Sequence, residues 1–98
     1  MTGQSAANRT VHVLVSGHVQ GVWYRGWARE TAVRLGLDGW VRNRANGTVE
    51  AVFSGSPGEI AEMLVLCGEG PPHAQVSDVR IIEEGGSVAP GFTVRYSA

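Results

Sequence analysis

The sequence predicts an α+β fold, a mixed, largely antiparallel sheet with two helices on one face and a short extra strand at its end. Three observations predict it. Segments of period two and period 3.6 follow one another in the order strand, helix, strand, strand, helix, strand. Asn46-Gly47 between the middle two strands is a strong hairpin signal. Ser56-Pro57-Gly58-Glu59 opens the second helix with a cap, a proline at the first helical position and an acid three residues on.

Residues 1–9, small and polar, read as a flexible tail, and 10–98 as one domain. Thr10 to Ser16 alternates, with Val11, Val13 and Val15 on one face and His12, Leu14 and Ser16 on the other. Apolar residues on both faces predict a central strand. Gly17 to Tyr24 breaks the alternation and reads as a loop. Arg25 to Leu35 carries Ala28, Thr31, Ala32 and Leu35 along one helical stripe, a Glu30–Arg34 pair one turn apart, and Gly36 as a stop. Strands are expected at Gly39–Ala45 and Thr48–Ser54, joined by a two-residue turn at Asn46-Gly47, with Val49, Ala51 and Phe53 on one face. Ser56 and Glu59 predict a capping box, and Ile60, Met63, Leu64 and Cys67 form the apolar stripe that follows. Gly68, Gly70, Pro71 and Pro72 end that helix. Val76–Glu84 and Phe92–Tyr96 read as strands around a glycine-rich loop. Two βαβ halves joined by a hairpin make the ferredoxin-like βαββαβ arrangement. That fold hosts many activities, so function must be read from particular residues.

Composition excludes several classes. At 43% hydrophobic the chain is not disordered, and a net charge of −1 argues against nucleic-acid and membrane partners. All eight basic residues are arginines, so no lysine serves as a Schiff base or phosphate cation. A single cysteine allows no internal disulfide and no cysteine-rich zinc site; Cys67 reads as a small buried apolar group. Neither histidines nor carboxylates show metal-ligand spacing, and no metal or cofactor is expected. No apolar run approaches the ~18 residues of a spanning helix, and the first residues lack a signal peptide's apolar core, so a cytoplasmic location is expected. His12, Trp27 and Trp40 read as structural, His73 as solvated, and Arg42 and Arg44 as residues of a solvated sheet face. Glu83 and Glu84, adjacent on a strand, point to opposite sides and form no acid pair.

The densest signal is Gly17-His18-Val19-Gln20-Gly21-Val22-Trp23-Tyr24-Arg25. Gly17 and Gly21, four apart, permit sharp turns and close approach of a ligand. The loop delivers the chain to a helix start, where unpaired amides favour an anion. A cation in the first helical turn opposes the helix dipole, so Arg25 makes more sense sharing an anion with those amides. The alternative is a structural turn with a surface arginine. The loop lacks the Gly-Lys-Ser/Thr ending of a P-loop and the spacing of the dinucleotide fingerprint.

This stretch resembles the first motif of the acylphosphatase family: glycine, any residue, valine-glutamine-glycine-valine, any residue, aromatic, arginine. Gly39-Trp40-Val41-Arg42-Asn43 with Gly47-Thr48-Val49-Glu50 resembles the second. The likeness extends from about Val11 to Tyr96. It implies hydrolysis of an acyl phosphate to a carboxylate and inorganic phosphate without a metal. By that resemblance the amides of His18, Val19, Gln20, Gly21 and Val22 and the guanidinium of Arg25 hold the phosphoryl group, and Asn43 orients the attacking water. Inorganic phosphate is implied as product or inhibitor, and a monomer is expected. Trp23 stands where members often carry a small residue, which makes the rim of the pocket bulkier. Strand parity puts Asn43 on the face of Val41, assigned to the helix side.

Two other classes compete. Small domains of this topology bind RNA on an open sheet face, which needs aromatic residues on the central strands and a basic surface. Here the first strand offers no aromatic residue, the third only Phe53 on the presumed core face, and the net charge is −1. The same anion cradle could also serve a regulatory module that holds phosphate or a carbamoyl-phosphate-like ligand without turnover.

Overall fold

The computed structural model describes residues 8–96. Seven elements follow in order: β1 (Arg9–His18), α1 (Tyr24–Arg34), β2 (Asp38–Asn43), β3 (Val49–Gly55), α2 (Pro57–Cys67), β4 (Gln75–Glu84) and β5 (Phe92–Val94). They form one five-stranded sheet in the order β4-β1-β3-β2-β5. Neighbours are antiparallel except β2 and β5, which run parallel. The expected α+β, ferredoxin-like arrangement with a short last strand is what the chain adopts, and β1 is central as its two apolar faces predicted.

Alternation sets the faces. Val11, Val13 and Val15 of β1, Val41 of β2 and Val49, Ala51 and Phe53 of β3 join Ala28 and Ala32 of α1 and Ile60, Met63 and Cys67 of α2 in one core. Both helices therefore lie on the same side of the sheet. Leu35 and Leu64, expected on the helical stripes, pack at the margin of this core. Every residue of β3 is buried, since the strand is paired on both edges and covered by helices on one face.

Several local expectations differ from the structure. β1 starts at Arg9, inside the stretch read as tail, because Arg9 pairs with Gly55 and its guanidinium meets Glu84 at 2.6 Å. Residues 1–7 of that tail lie outside the described residues. β1 also continues through Gly17 and His18, opposite Val76 and Gln75, after a register shift at Ser16/Gly17. Gly17 has φ 122°, and a Cβ there would lie 2.2 Å from the Gln75 carbonyl oxygen. This glycine thus admits a neighbouring strand. The hairpin is not a two-residue turn on Asn46-Gly47. Asn46 does not adopt the positive φ that such a turn needs. Instead the Gly47 amide donates to the Arg44 carbonyl, Gly47 takes φ 92°, and Arg44 and Thr48 close the loop. β2 accordingly ends at Asn43, short of the expected Ala45. β5 likewise ends at Val94 rather than Tyr96.

Ser56 is the N-cap and Pro57 the first residue of α2, as expected, but the capping box does not form: the Ser56 hydroxyl bonds the Glu59 carboxylate instead of a backbone amide. Glu30 and Arg34 form no ion pair among the described residues. At the end of α1 the Gly36 amide donates to Val33 and the Leu37 amide to Ala32, the pair of bonds expected for a glycine stop.

The sheet face away from the helices holds a charged cluster. Glu50, 5% exposed, receives Arg42 Nε at 2.8 Å, Arg44 at 3.5 Å and His12 Nε2 at 2.5 Å. Trp40 lies beside them, with the Arg42 and Arg95 guanidinium carbons 5.1 and 4.5 Å from its ring centre. The His12 and Trp40 rings meet edge to face within this cluster, their centres 5.7 Å apart. Arg42 and Arg44 share this face but are held by a buried carboxylate.

Candidate active site

The chain from Val19 to Trp23 turns off the end of β1 and enters α1. Val19 is buried and anchors the turn in the core, and Gly21 follows at φ 76° in open surroundings. Trp23 is the N-cap of α1 and has φ 68°, ψ 25°, a left-handed conformation rare for a bulky residue. Its indole lies over Gly26. A Cβ on Gly26 would come within 2.2 Å of the indole nitrogen. The first bond of the helix runs from the Trp27 amide to the Trp23 carbonyl at 3.0 Å. The amides before Trp27 have no acceptor within the helix, and the N-cap side chain, Trp23, makes no capping hydrogen bond to them.

Arg25 is thus the second residue of α1, half-buried, at the positive end of the helix dipole. The first turn carries no acidic side chain to neutralise it, and Arg25 makes no ion pair among the described residues. Positive potential therefore gathers at this end of the sheet. Below it, the Tyr24 hydroxyl donates to the Cys67 carbonyl at 2.8 Å, tying the start of α1 to the end of α2. Burial pushes both this phenol and the Cys67 thiol up, the thiol to about 12, so neither ionises near neutrality.

A cavity of about 250 Å³ opens here, lined by Val19, Gly21, Trp23, Tyr24, Arg25, Gly26, Asn43 and Val94. Asn43 reaches it from the last position of β2, on the helix side as its parity with Val41 predicted. Val19 and Tyr24 are buried and form the floor; Trp23 (59% exposed) and Val94 (42%) form the rim. Arg25, Asn43 and the loop residues Val19 and Gly21 therefore meet around one space. His18, Gln20 and Val22 do not line it. His18 ends β1 opposite Gln75, and Val22 packs against the core. The Gln20 side chain turns to the hairpin, where its amide nitrogen donates to the Arg44 carbonyl at 2.8 Å and the Thr48 carbonyl at 2.9 Å. Gly26 and Val94 were not foreseen. A glycine in the first turn of a helix was a signal for the former; Val94 arrives through a pairing of distant segments that local pattern does not show.

Polar donors around a small, positively biased cavity suit a phosphate-sized anion. Among the described residues no three His, Cys, Asp or Glu side chains gather as a metal ion would require. The family model of acylphosphatase matches residues 11–94. The chain belongs to the acylphosphatase family. An acylphosphatase of Rhodospirillum rubrum is 53% identical over 89 residues, covering 91% of this chain and 98% of that one. Among solved structures, an acylphosphatase from Coxiella burnetii superposes with a TM-score of 0.85 at 42% identity, over 90% of this chain and 93% of the other. The acylphosphatase from Bacillus subtilis gives 0.84 at 28%, over 92% and 100%. An acylphosphatase is a hydrolase, and the α+β sheet described above is the acylphosphatase fold. No helix among the described residues is long and apolar enough to cross a membrane.

Proposed function

We propose that this cavity hydrolyses acyl phosphates without a metal, with Arg25 and Asn43 as the catalytic side chains. The observation that carries the reading is that Arg25 of α1 and Asn43 of β2, eighteen residues apart in sequence, line one cavity with the loop between β1 and α1. The phosphoryl oxygens sit against the loop and helix-start amides and the Arg25 guanidinium, whose planar fork matches them. The Asn43 amide holds a water in line with the bond to be broken. The water oxygen attacks phosphorus, the bond from phosphorus to the acyl oxygen breaks, and its electron pair leaves with the carboxylate. The water's proton passes to a phosphate oxygen. A leaving group with a solution pKa near ~4 departs without an acid catalyst. Because phosphoryl transfer passes through a loose transition state, positioning and charge stabilisation supply most of the catalysis.

The test is hydrolysis of an aryl acyl phosphate in excess EDTA by the parent, Arg25→Ala and Asn43→Ala, each checked for fold by circular dichroism. Turnover in EDTA is expected, with Arg25→Ala at least about 10³-fold slower and Asn43→Ala also strongly impaired. A folded parent that binds phosphate without turnover would leave a binding module in place of an enzyme.

A further inference from the structure

We infer that the Gln20 side chain is a positioning residue that sets the distance between the phosphate-holding loop and Asn43. The inference rests on the reading of Arg25 and Asn43 given above.

Gln20 sits midway along the loop, and its side chain does not line the cavity. Its single amide nitrogen spends both hydrogens on backbone carbonyls of the β2–β3 hairpin, those of Arg44 and Thr48. Arg44 follows Asn43 directly, so one of the two bonds ends on the residue after the proposed water-holding side chain. The Arg44 amide and Thr48 carbonyl are also joined at 2.9 Å, so both acceptors belong to one closed ring at the hairpin's base. The ring is stiffened on its far side, where Asn46 Oδ1 accepts from the Thr48 amide and hydroxyl. The Arg44 side chain is held to buried Glu50. Gln20 is therefore a two-pronged strut between a rigid hairpin and a loop that includes Gly21 at its most permissive point. No other side chain among the described residues hydrogen-bonds this loop segment to the hairpin. A glutamine here holds the two halves of the site in register; without it the loop keeps its amides and Arg25, but its placement relative to Asn43 loosens. A displacement of about 1 Å can cost up to about 10²-fold in rate.

A strut predicts a defined kinetic signature. Steady-state hydrolysis of benzoyl phosphate and competitive inhibition by inorganic phosphate would be measured for the parent, Gln20→Ala, Gln20→Met, Asn43→Ala and Gln20→Met/Asn43→Ala. Methionine fills the glutamine's volume but donates no hydrogen bond. Both Gln20 variants are expected to lose about 10- to 30-fold in kcat while phosphate inhibition changes by less than about threefold, the split expected when an interaction acts in the transition state and not in anion binding. In the Asn43→Ala background, Gln20→Met should slow the residual turnover by less than about twofold, because the group it positions is gone. Losses that multiply in the double variant, or weaker phosphate binding with kcat unchanged, would overturn the inference alone. Asn43→Ala with the parent's turnover would overturn it together with the reading of the site. If both single Gln20 variants failed to fold, the two bonds would belong to the stability of the domain and the inference would be wrong.

Discussion

Trp23 shows how much one residue is asked to do at this site. Its backbone is the only non-glycine position with positive φ among the described residues, and more than half of its side chain faces solvent. A bulky residue in that conformation stores about 1–3 kcal/mol of strain. Burial returns little of this to an exposed indole, whose clearest contact is the bare backbone at Gly26. Trp23→Asn, with a side chain that tolerates the left-handed region, should therefore raise stability by about 0.5–1 kcal/mol. That corresponds to a few degrees in Tm for a domain of this size. Thermal unfolding followed by circular dichroism decides it; a lower Tm would mean that the indole's contacts outweigh the strain. The sequence showed Trp23 as a bulky rim residue, and it is one. Its backbone conformation was not legible, because nothing in a tryptophan's chemistry favours φ 68°; the tight entry into α1 imposes it.

At the scale of elements, the hairpin of β2 and β3 is braced from both faces of the sheet. Gln20 braces it at the loop end, and Glu50 braces it from the open face through Arg42, Arg44 and His12. Burial pushes the Glu50 carboxyl up, but the hydrogen bonds from Arg42 and His12 and their charges more than offset it, so it titrates below its ordinary value. The unfolded chain therefore binds this proton more readily than the folded one. Glu50 contributes stability that is fully present above the unfolded carboxyl value, near ~4.3, and is lost as pH falls through the lower folded value. Glu50→Gln should cost about 1–3 kcal/mol at neutral pH and flatten the fall of stability between about pH 4.5 and the acid limit. Urea unfolding at a series of pH values measures both; parallel curves for parent and variant would remove Glu50 from the acid response. The elements themselves were readable because alternation and helical stripes report burial, which tertiary structure then enforces. The errors fell where side chains competed for backbone partners. Ser56 chose a carboxylate over an amide, and Asn46 bonded Thr48 rather than taking the left-handed place in a tight turn. The second motif placed Glu50 on a strand, but its partners come from β1, β2 and the turn after β2, and are set by register.

For the whole molecule, the core is continuous from β1 across both helices, and Cys67 lies inside it with no exposed surface. Burial and a thiol pushed up to about 12 leave no thiolate near neutrality. The lone cysteine should accordingly resist a thiol-specific disulfide reagent in the native protein and react at the rate of unfolding once urea is added. Rapid labelling without denaturant would show that the end of α2 opens locally. The helical stripe placed Cys67 correctly. The cavity was legible in part: loop, Arg25 and Asn43 came from motif and parity, whereas Val94 depended on β5 lying parallel to β2, a pairing no local period encodes.

That last pairing has a consequence for the order in which the protein becomes itself. Phe92 pairs with Gly39 and stacks on Phe53 at 5.5 Å, its carbonyl accepts from Arg29, and Val94 supplies part of the rim. During synthesis the groups proposed to do the chemistry leave the ribosome before the strand that closes the sheet beside them. A nascent chain therefore carries Arg25 and Asn43 before it has Val94, the rim residue that β5 brings to the same cavity.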